Sequence, residues 1–74
     1  MQGQFGCGKL ARHFFNVGLP LQVLKSNAGY YIGTTQEESG WAMPFTRESI
    51  EYFQTEDAAV TALETGRWTQ KRSL

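Results

Sequence analysis

The stretch that decides the fold is residues 50–66, which read IEYFQTEDAAVTALETG. Its first residues are β-branched or aromatic and suit a half-buried strand, so we predict a strand over residues 49–54. Thr55 is placed to cap a helix, because its hydroxyl can accept a hydrogen bond from a free backbone N–H of the first turn. Gly66 follows about three turns later, where a glycine readily takes the left-handed conformation that ends a helix. A helix this short must pack on the rest of the chain to be stable.

Two more strands are predicted upstream of this stretch. Residues 21–25 and 30–35 are separated by the turn sequence SNAG at residues 26–29, a pattern that predicts an antiparallel hairpin. Residues 36–48 are expected to form a loop. The predicted fold class is therefore α+β, a three-stranded antiparallel sheet packed by one C-terminal helix in the order β-β-β-α.

The predicted loop is more apolar than a solvated loop should be. It contains Trp41, Met43 and Phe45, and it is long for so small a domain. Either it folds down as a lid on the core, which we favour, or it is an interaction loop that binds a partner.

The first part of the chain is expected to lie outside the main domain. Leu10, Phe14 and Val17 have the i, i+4, i+7 spacing of a short amphipathic helix, but two turns have little stability of their own. We therefore predict residues 1–18 as a flexible or short-helical N-terminal extension. Residues 19–74 are predicted as a single small α+β domain, because 74 residues leave no room for a second one.

Charge is unevenly distributed along the chain. Seven basic and seven acidic residues give a net charge of zero, so there is no overall attraction to nucleic acid or membrane. Residues 1–25 carry +3, residues 26–66 carry −6 and residues 67–74 carry +3. Either the basic ends fold back and neutralise the acidic centre, which we favour, or they contact an anionic partner.

The C-terminal basic segment is the best candidate for nucleic-acid binding. Arg67, Lys71 and Arg72 could neutralise phosphates while Trp68 offers an aromatic platform for a base. The alternative, which we favour, is that Trp68 docks on the sheet, alone or within a short final strand over residues 68–71, and that the basic side chains are solvated. Nucleic acid is therefore a disfavoured partner.

The sequence offers no arrangement typical of an enzyme or a metal site. Cys7 and His13 are the single cysteine and histidine, so no internal disulfide can form and soft ligands are too few for zinc. Adjacent acids at residues 37–38 and 56–57 are explained by a solvated loop and a helix N-terminus. We expect no catalysis, cofactor, metal or small-molecule substrate. The lone cysteine and the absence of a long apolar run favour a cytoplasmic protein without membrane contact.

The junction between the predicted third strand and the helix carries a pattern seen elsewhere. Its residues are Phe53, Thr55, Asp57, Ala58 and Ala62, and the pattern resembles the small sheet domains of the AP2 and integrase arm-binding type. The resemblance implies a three-stranded sheet with a C-terminal helix, whose exposed face enters the major groove of DNA. Those domains carry Arg and Lys on the reading strands, whereas the strands predicted here offer Glu51, and an acidic sheet is a poor reader.

Four segments together make up a second pattern. They are GYYIGT at 29–34, PFTRES at 44–49, EYF at 51–53 and GxWTQxR at 66–72. Together they resemble a group of short uncharacterised bacterial proteins that are often linked to plasmids and prophages. The resemblance covers about residues 29–72 and implies no activity, cofactor or catalytic residue.

These observations favour a small non-catalytic accessory module that binds another protein, or itself as a weak homodimer. Open sheet edges recruit partner strands, so the contact is expected at residues 21–25 or 49–54. The alternative is a nucleic-acid-binding accessory protein that uses its basic termini.

Overall fold

The computed structural model describes residues 6–74 of the chain. Its elements are, in chain order, α1 (Lys9–Phe15), β1 (Gln22–Ser26), β2 (Gly29–Glu38), β3 (Trp41–Arg47) and α2 (Glu56–Thr65). The strands form one antiparallel sheet in the order β1-β2-β3. Helix α2 packs on β1 and β2, and α1 packs on β3. The prediction of an α+β fold, with a three-stranded antiparallel sheet, a C-terminal helix and a short N-terminal helix, is confirmed.

The third strand lies earlier in the chain than predicted. Strand β2 continues to Glu38, and Ser39 and Gly40 follow with φ angles of 53° and 83°. Such a two-residue turn matches the twist of the flanking strands, so the chain returns at once as β3. The predicted loop over residues 36–48 is therefore wrong. The backbone groups of residues 36–38 pair with those of residues 41–43 in this hairpin.

The predicted strand over residues 49–54 is not a regular strand, although it does lie beside β2. Phe53 and Tyr30 exchange two backbone hydrogen bonds, of 2.6 and 2.8 Å. Ser49 donates its N–H to the Ile32 carbonyl at 2.9 Å, but its hydroxyl accepts from the Ile32 N–H at 3.0 Å. A side chain thus takes the place of a backbone acceptor, and the ladder is interrupted there.

The C-terminal segment covers the outer edge of residues 48–50. Ile50 donates its N–H to the Thr69 carbonyl at 2.9 Å, and Lys71 donates its N–H to the Glu48 carbonyl at 2.7 Å. The edge that we expected to be open at residues 49–54 is therefore occupied in part, at its start. Strand β1 remains at the edge of the sheet.

Helix α2 begins and ends as the sequence predicts. The Thr55 hydroxyl accepts a hydrogen bond from the Ala58 N–H at 3.1 Å, and Gly66 ends the helix with φ 74°. Ala59 and Ala62 are its buried residues. Because these side chains are small, the helix backbone can lie close to the sheet.

Candidate protein-interaction surface

The outer half of the β2–β3 hairpin lies outside the core. Every side chain over residues 36–44 is exposed, whereas Ile32 and Thr34, further back on β2, are fully buried. Trp41 is 73 % exposed and Met43 is 47 % exposed. These two side chains therefore do not form the lid over the core that we favoured.

The register of the hairpin shows which face these side chains share. Thr34 and Thr46 lie opposite each other and their hydroxyls share a hydrogen bond of 2.5 Å. Side chains two residues apart on a strand share a face, so Gln36 and Glu38 follow Thr34 on this face. Their partners on β3 are Met43 and Trp41, and directly opposed residues of an antiparallel pair lie on the same side. Trp41 and Met43 therefore lie on the face that carries Thr34 and Thr46.

Helix α1 extends this apolar surface. The register shifts by one residue between Thr34 and Thr35, and the extra residue on β3 is Phe45. Its ring packs against the Phe15 ring, with 4.8 Å between centroids and 55° between planes. Phe15 itself is 46 % exposed. We name the four side chains the apolar stripe; they are Phe15, Phe45, Met43 and Trp41.

The carboxylate of Glu48 holds α1 in place beside the hairpin. Its side chain is fully buried. It accepts hydrogen bonds from the backbone N–H groups of Leu10 at 3.0 Å and Ala11 at 3.2 Å. It also accepts from the Thr46 hydroxyl and from the Gln70 amide, each at 2.7 Å. One buried group therefore connects α1, the end of β3 and the C-terminal segment.

Glu48 stays ionised in this environment. Burial alone would raise its pKa, because a carboxylate loses hydration in the interior. The hydrogen bonds from Leu10, Thr46, Gln70 and Ala11 outweigh that effect and hold the pKa of Glu48 below its usual range. The two backbone donors lie in the first turn of α1, where the helix dipole also favours negative charge.

Gly8 lets α1 begin this close to Glu48. A Cβ at this position would lie 2.5 Å from Thr34 Cγ2 and 2.6 Å from Glu48 Oε2. No side chain fits that space unless the buried side chain of Thr34 or Glu48 moves. The glycine-rich start of the chain thus has a packing role at this residue.

Glu48 was not among the residues that sequence reasoning selected. The only local indication is the spacing of Thr46 and Glu48, which places both side chains on one face of an extended chain. Its hydrogen-bond donors on α1 come from residues 37 and 38 positions away. Because all four donors converge on a carboxylate with no exposed surface, the group is suited to hold structure and not to meet a substrate.

The C-terminal basic residues are only partly brought together. Arg67 and Arg72 are exposed, while Trp68 and Lys71 are half-buried. Trp68 lines an open cleft of about 610 Å³ beside the C-terminal end of α2, and Lys9 lies on the same cleft. Residues from both ends of the chain therefore line this cleft, and the acidic Glu64 lines it beside Lys9.

The remaining candidates for chemistry lie apart. Cys7 is an exposed free thiol, and the His13 ring packs edge-on against Phe14 with centroids 4.7 Å apart. Within residues 6–74, no three His, Cys, Asp or Glu side chains are grouped closely enough to hold a metal ion. In that same part of the chain, neither helix has the length and apolar character needed to cross a bilayer.

The chain matches no protein-family model, no curated protein and no solved structure at a significant level. The resemblances drawn from the sequence therefore stay predictions, and the functional proposal depends on the geometry of the chain's own surface.

Proposed function

We propose that this chain is a non-catalytic protein-interaction module and that the apolar stripe is its contact surface. The observation that carries the proposal is the exposure of Trp41 and Met43 on one face of an ordered hairpin. Exposed apolar area costs about 25 cal/mol per Å² relative to burial. Contiguous patches of this kind, bordered by polar residues such as Gln36 and Glu38, are typical of protein contact sites.

The residue types of the stripe suit a contact surface. Tryptophan is among the residues that contribute most when a partner buries them, and methionine adapts its shape to irregular surfaces. Phe15 and Phe45 add a pair of aromatic rings in tilted contact at one end. The stripe thus has aromatic anchors at both ends and a flexible side chain between them.

The stripe is organised before any partner arrives. The hydrogen bonds to Glu48 fix the start of α1, and α1 in turn presents Phe15 to Phe45. A surface that is already ordered loses little conformational entropy on binding. This pre-organisation supports a binding role for the hairpin.

The apolar stripe on the hairpin is a better contact surface than the free edge of strand β1. Strands β1 and β3 are the edge strands of the sheet, and β1 carries the exposed Lys25. A lysine on an edge strand opposes the addition of another strand. We therefore place the contact on the apolar stripe instead of at residues 21–25.

The test is quantitative affinity capture with tagged protein from the lysate of its host. The wild type is compared with the double variant Trp41→Ala, Met43→Ala. A control variant, Ile50→Ala, removes an apolar side chain that is 53 % exposed but lies off the stripe. We expect the double variant to lose a protein, or its own untagged copy, that the wild type and the control both retain. Identical capture by all three would contradict the proposal.

We also place the protein in a reducing compartment, the bacterial cytoplasm, and retain the association with mobile elements that the sequence resemblance implies. The support is the exposed free thiol of Cys7, because thiols stay reduced in the cytosol. Treatment of intact cells with a thiol reagent that cannot cross membranes should leave Cys7 unmodified.

A second candidate function is nucleic-acid binding at the C-terminal cleft. The observation that favours it is that Lys9 and Trp68 line one open cleft, with exposed Arg67 and Arg72 in the adjoining segment. We expect the double variant Arg67→Ala, Arg72→Ala to weaken binding equally on all DNA sequences and to flatten its salt dependence. Fluorescence anisotropy of labelled duplex and single-stranded DNA at about 50 and 200 mM salt measures both effects. No binding at the lower salt would remove this candidate.

A further inference from the structure

We propose that the apolar stripe binds a second copy of this chain, about a twofold axis that passes close to Met43. The inference rests on the proposed function, since it names the partner of that same surface. Its support is the order of the residues along the stripe and the charges at its two ends.

The stripe is self-complementary when it is reversed. Trp41 lies at one end, Met43 in the middle, and Phe45 with its contact partner Phe15 at the other end. The four residue steps from Trp41 to Phe45 span roughly 13 Å of strand. A twofold axis at Met43 therefore brings Trp41 of each copy over the phenylalanine pair of the other. Such an interface is isologous, with the same patch used by both copies.

The charges at the two ends of the stripe select this antiparallel arrangement. Glu38 lies directly opposite Trp41 in the hairpin and is exposed. Arg12 precedes Phe15 by three residues on α1, so the two are neighbours on the helix surface, and Arg12 is also exposed. Reversal of one stripe on the other places each Glu38 near Arg12 of the second copy. If the two stripes instead ran parallel, Glu38 would lie beside Glu38 and Arg12 beside Arg12 of the second copy. Such like charges oppose binding.

The first experiment measures self-association by sedimentation equilibrium of the full chain from about 1 µM to 1 mM, the range expected for a small interface. We expect a reversible monomer–dimer equilibrium. Trp41→Ala should raise the dissociation constant about thirtyfold or more, because it removes an anchor from both halves of the interface. Ile50→Ala serves as the control and should leave the constant unchanged. A wild type that stays monomeric throughout overturns the proposal.

A charge exchange tests the arrangement itself. Glu38→Lys and Arg12→Glu should each weaken the dimer about tenfold, because each places like charges together twice in the dimer. The double variant Glu38→Lys, Arg12→Glu restores opposite charges and should return the constant to near its original value. If the double variant is as weak as the single ones, Glu38 and Arg12 do not meet and the twofold arrangement is overturned. Far-ultraviolet circular dichroism confirms that each variant is folded.

Failure of the dimer and failure of the proposed function give different results. A monomeric wild type that still captures another protein, with that capture lost on Trp41→Ala, overturns the second copy as partner and leaves the interaction surface standing. A monomer whose captured proteins do not depend on Trp41 overturns both.

Discussion

At the scale of single residues, Glu48 connects parts of the chain that lie far apart in sequence. Its carboxylate accepts hydrogen bonds from Leu10 and Ala11 on α1, from Thr46 on β3 and from Gln70 near the C-terminus. Leu10, Ala11 and Thr46 are themselves buried. A change that removes one acceptor oxygen therefore leaves buried donors without a partner.

We expect Glu48→Gln to lower the free energy of unfolding by about 3 kcal/mol. The new amide nitrogen would be a donor that faces other donors, whichever way the amide is turned. Urea denaturation followed by circular dichroism measures the loss. Glu37→Gln is the matched control, since Glu37 is exposed and its change should stay within about 0.5 kcal/mol. Equal stabilities of the two variants would show that the buried network contributes little.

The depressed pKa of Glu48 predicts a loss of stability in acid. A carboxyl group whose pKa is lower in the folded than in the unfolded protein contributes its full stability above the unfolded value, about 4.3. That contribution is lost as the pH falls from there through the folded pKa. The pKa of Glu51 is lowered as well: burial opposes this, but hydrogen bonds that include the Thr69 N–H outweigh it.

Urea titrations between pH 7 and pH 3 measure this pH dependence. We expect the free energy of unfolding of the wild type to fall below about pH 5. The decline should be shallower in Glu48→Gln, because the glutamine does not titrate. Parallel curves for the two proteins would exclude Glu48 as a source of the acid sensitivity.

At the scale of elements, the start of α2 is encoded by a local cap, whereas the position of β3 also depends on pairing with another strand. The Thr55 hydroxyl meets the Ala58 N–H within one turn, so the start of the helix is encoded by adjacent residues. Strand β3 is set by the turn at Ser39 and Gly40 and by pairing with residues 33–38 of β2.

Thr55→Ala should destabilise the protein by about 1 kcal/mol, because one N–H of the first turn loses its acceptor. Thr61→Ala makes the same chemical change at an exposed position within α2. There alanine is the better helix former, so stability should stay equal or rise by up to about 0.5 kcal/mol. Thermal unfolding of both variants provides the measurement, and a similar loss in both would contradict the assignment of Thr55 as the cap.

At the scale of the whole molecule, α1 is part of the packed structure. Leu10 and Ala11 are buried, and their N–H groups are bonded to Glu48. The prediction of a short-helical segment within residues 1–18 agrees with α1. Helix α1 packs on β3 and is therefore in contact with residues 19–74.

We expect the fragment 19–74 to lose about 5 kcal/mol or more of stability relative to the full chain. The loss combines the burial of Leu10 with the two hydrogen bonds from α1 to Glu48. A chain of this length has a total of roughly 4 to 11 kcal/mol, so most of the fragment should be unfolded. Dispersion of amide signals in a ¹H–¹⁵N spectrum reports this directly. Removal of the exposed residues 73–74 is the control and should leave the spectrum dispersed.

The sequence by itself determined the features that are local. Each of three features depends on residues that are close in sequence. They are the helix cap at Thr55, the end of the helix at Gly66 and the hairpin of β1 and β2. The apolar side chains Trp41, Met43 and Phe45 were also identified from sequence, because three such residues are unusual in a loop. The α+β class follows from these elements together.

Only the tertiary structure decided where the third strand runs and what the apolar side chains do. Residues 41–47 and 49–54 both have side chains that suit strands. Residues 41–47 form the third strand because they pair with residues 33–38 of β2. Phe15 joins the apolar stripe because α1 is held at Leu10 by Glu48, which lies 38 residues from Leu10 in sequence. No local pattern encodes the attachment of α1 to Glu48. It forms only when the start of α1, the end of β3 and the Gln70 side-chain amide surround the buried carboxylate.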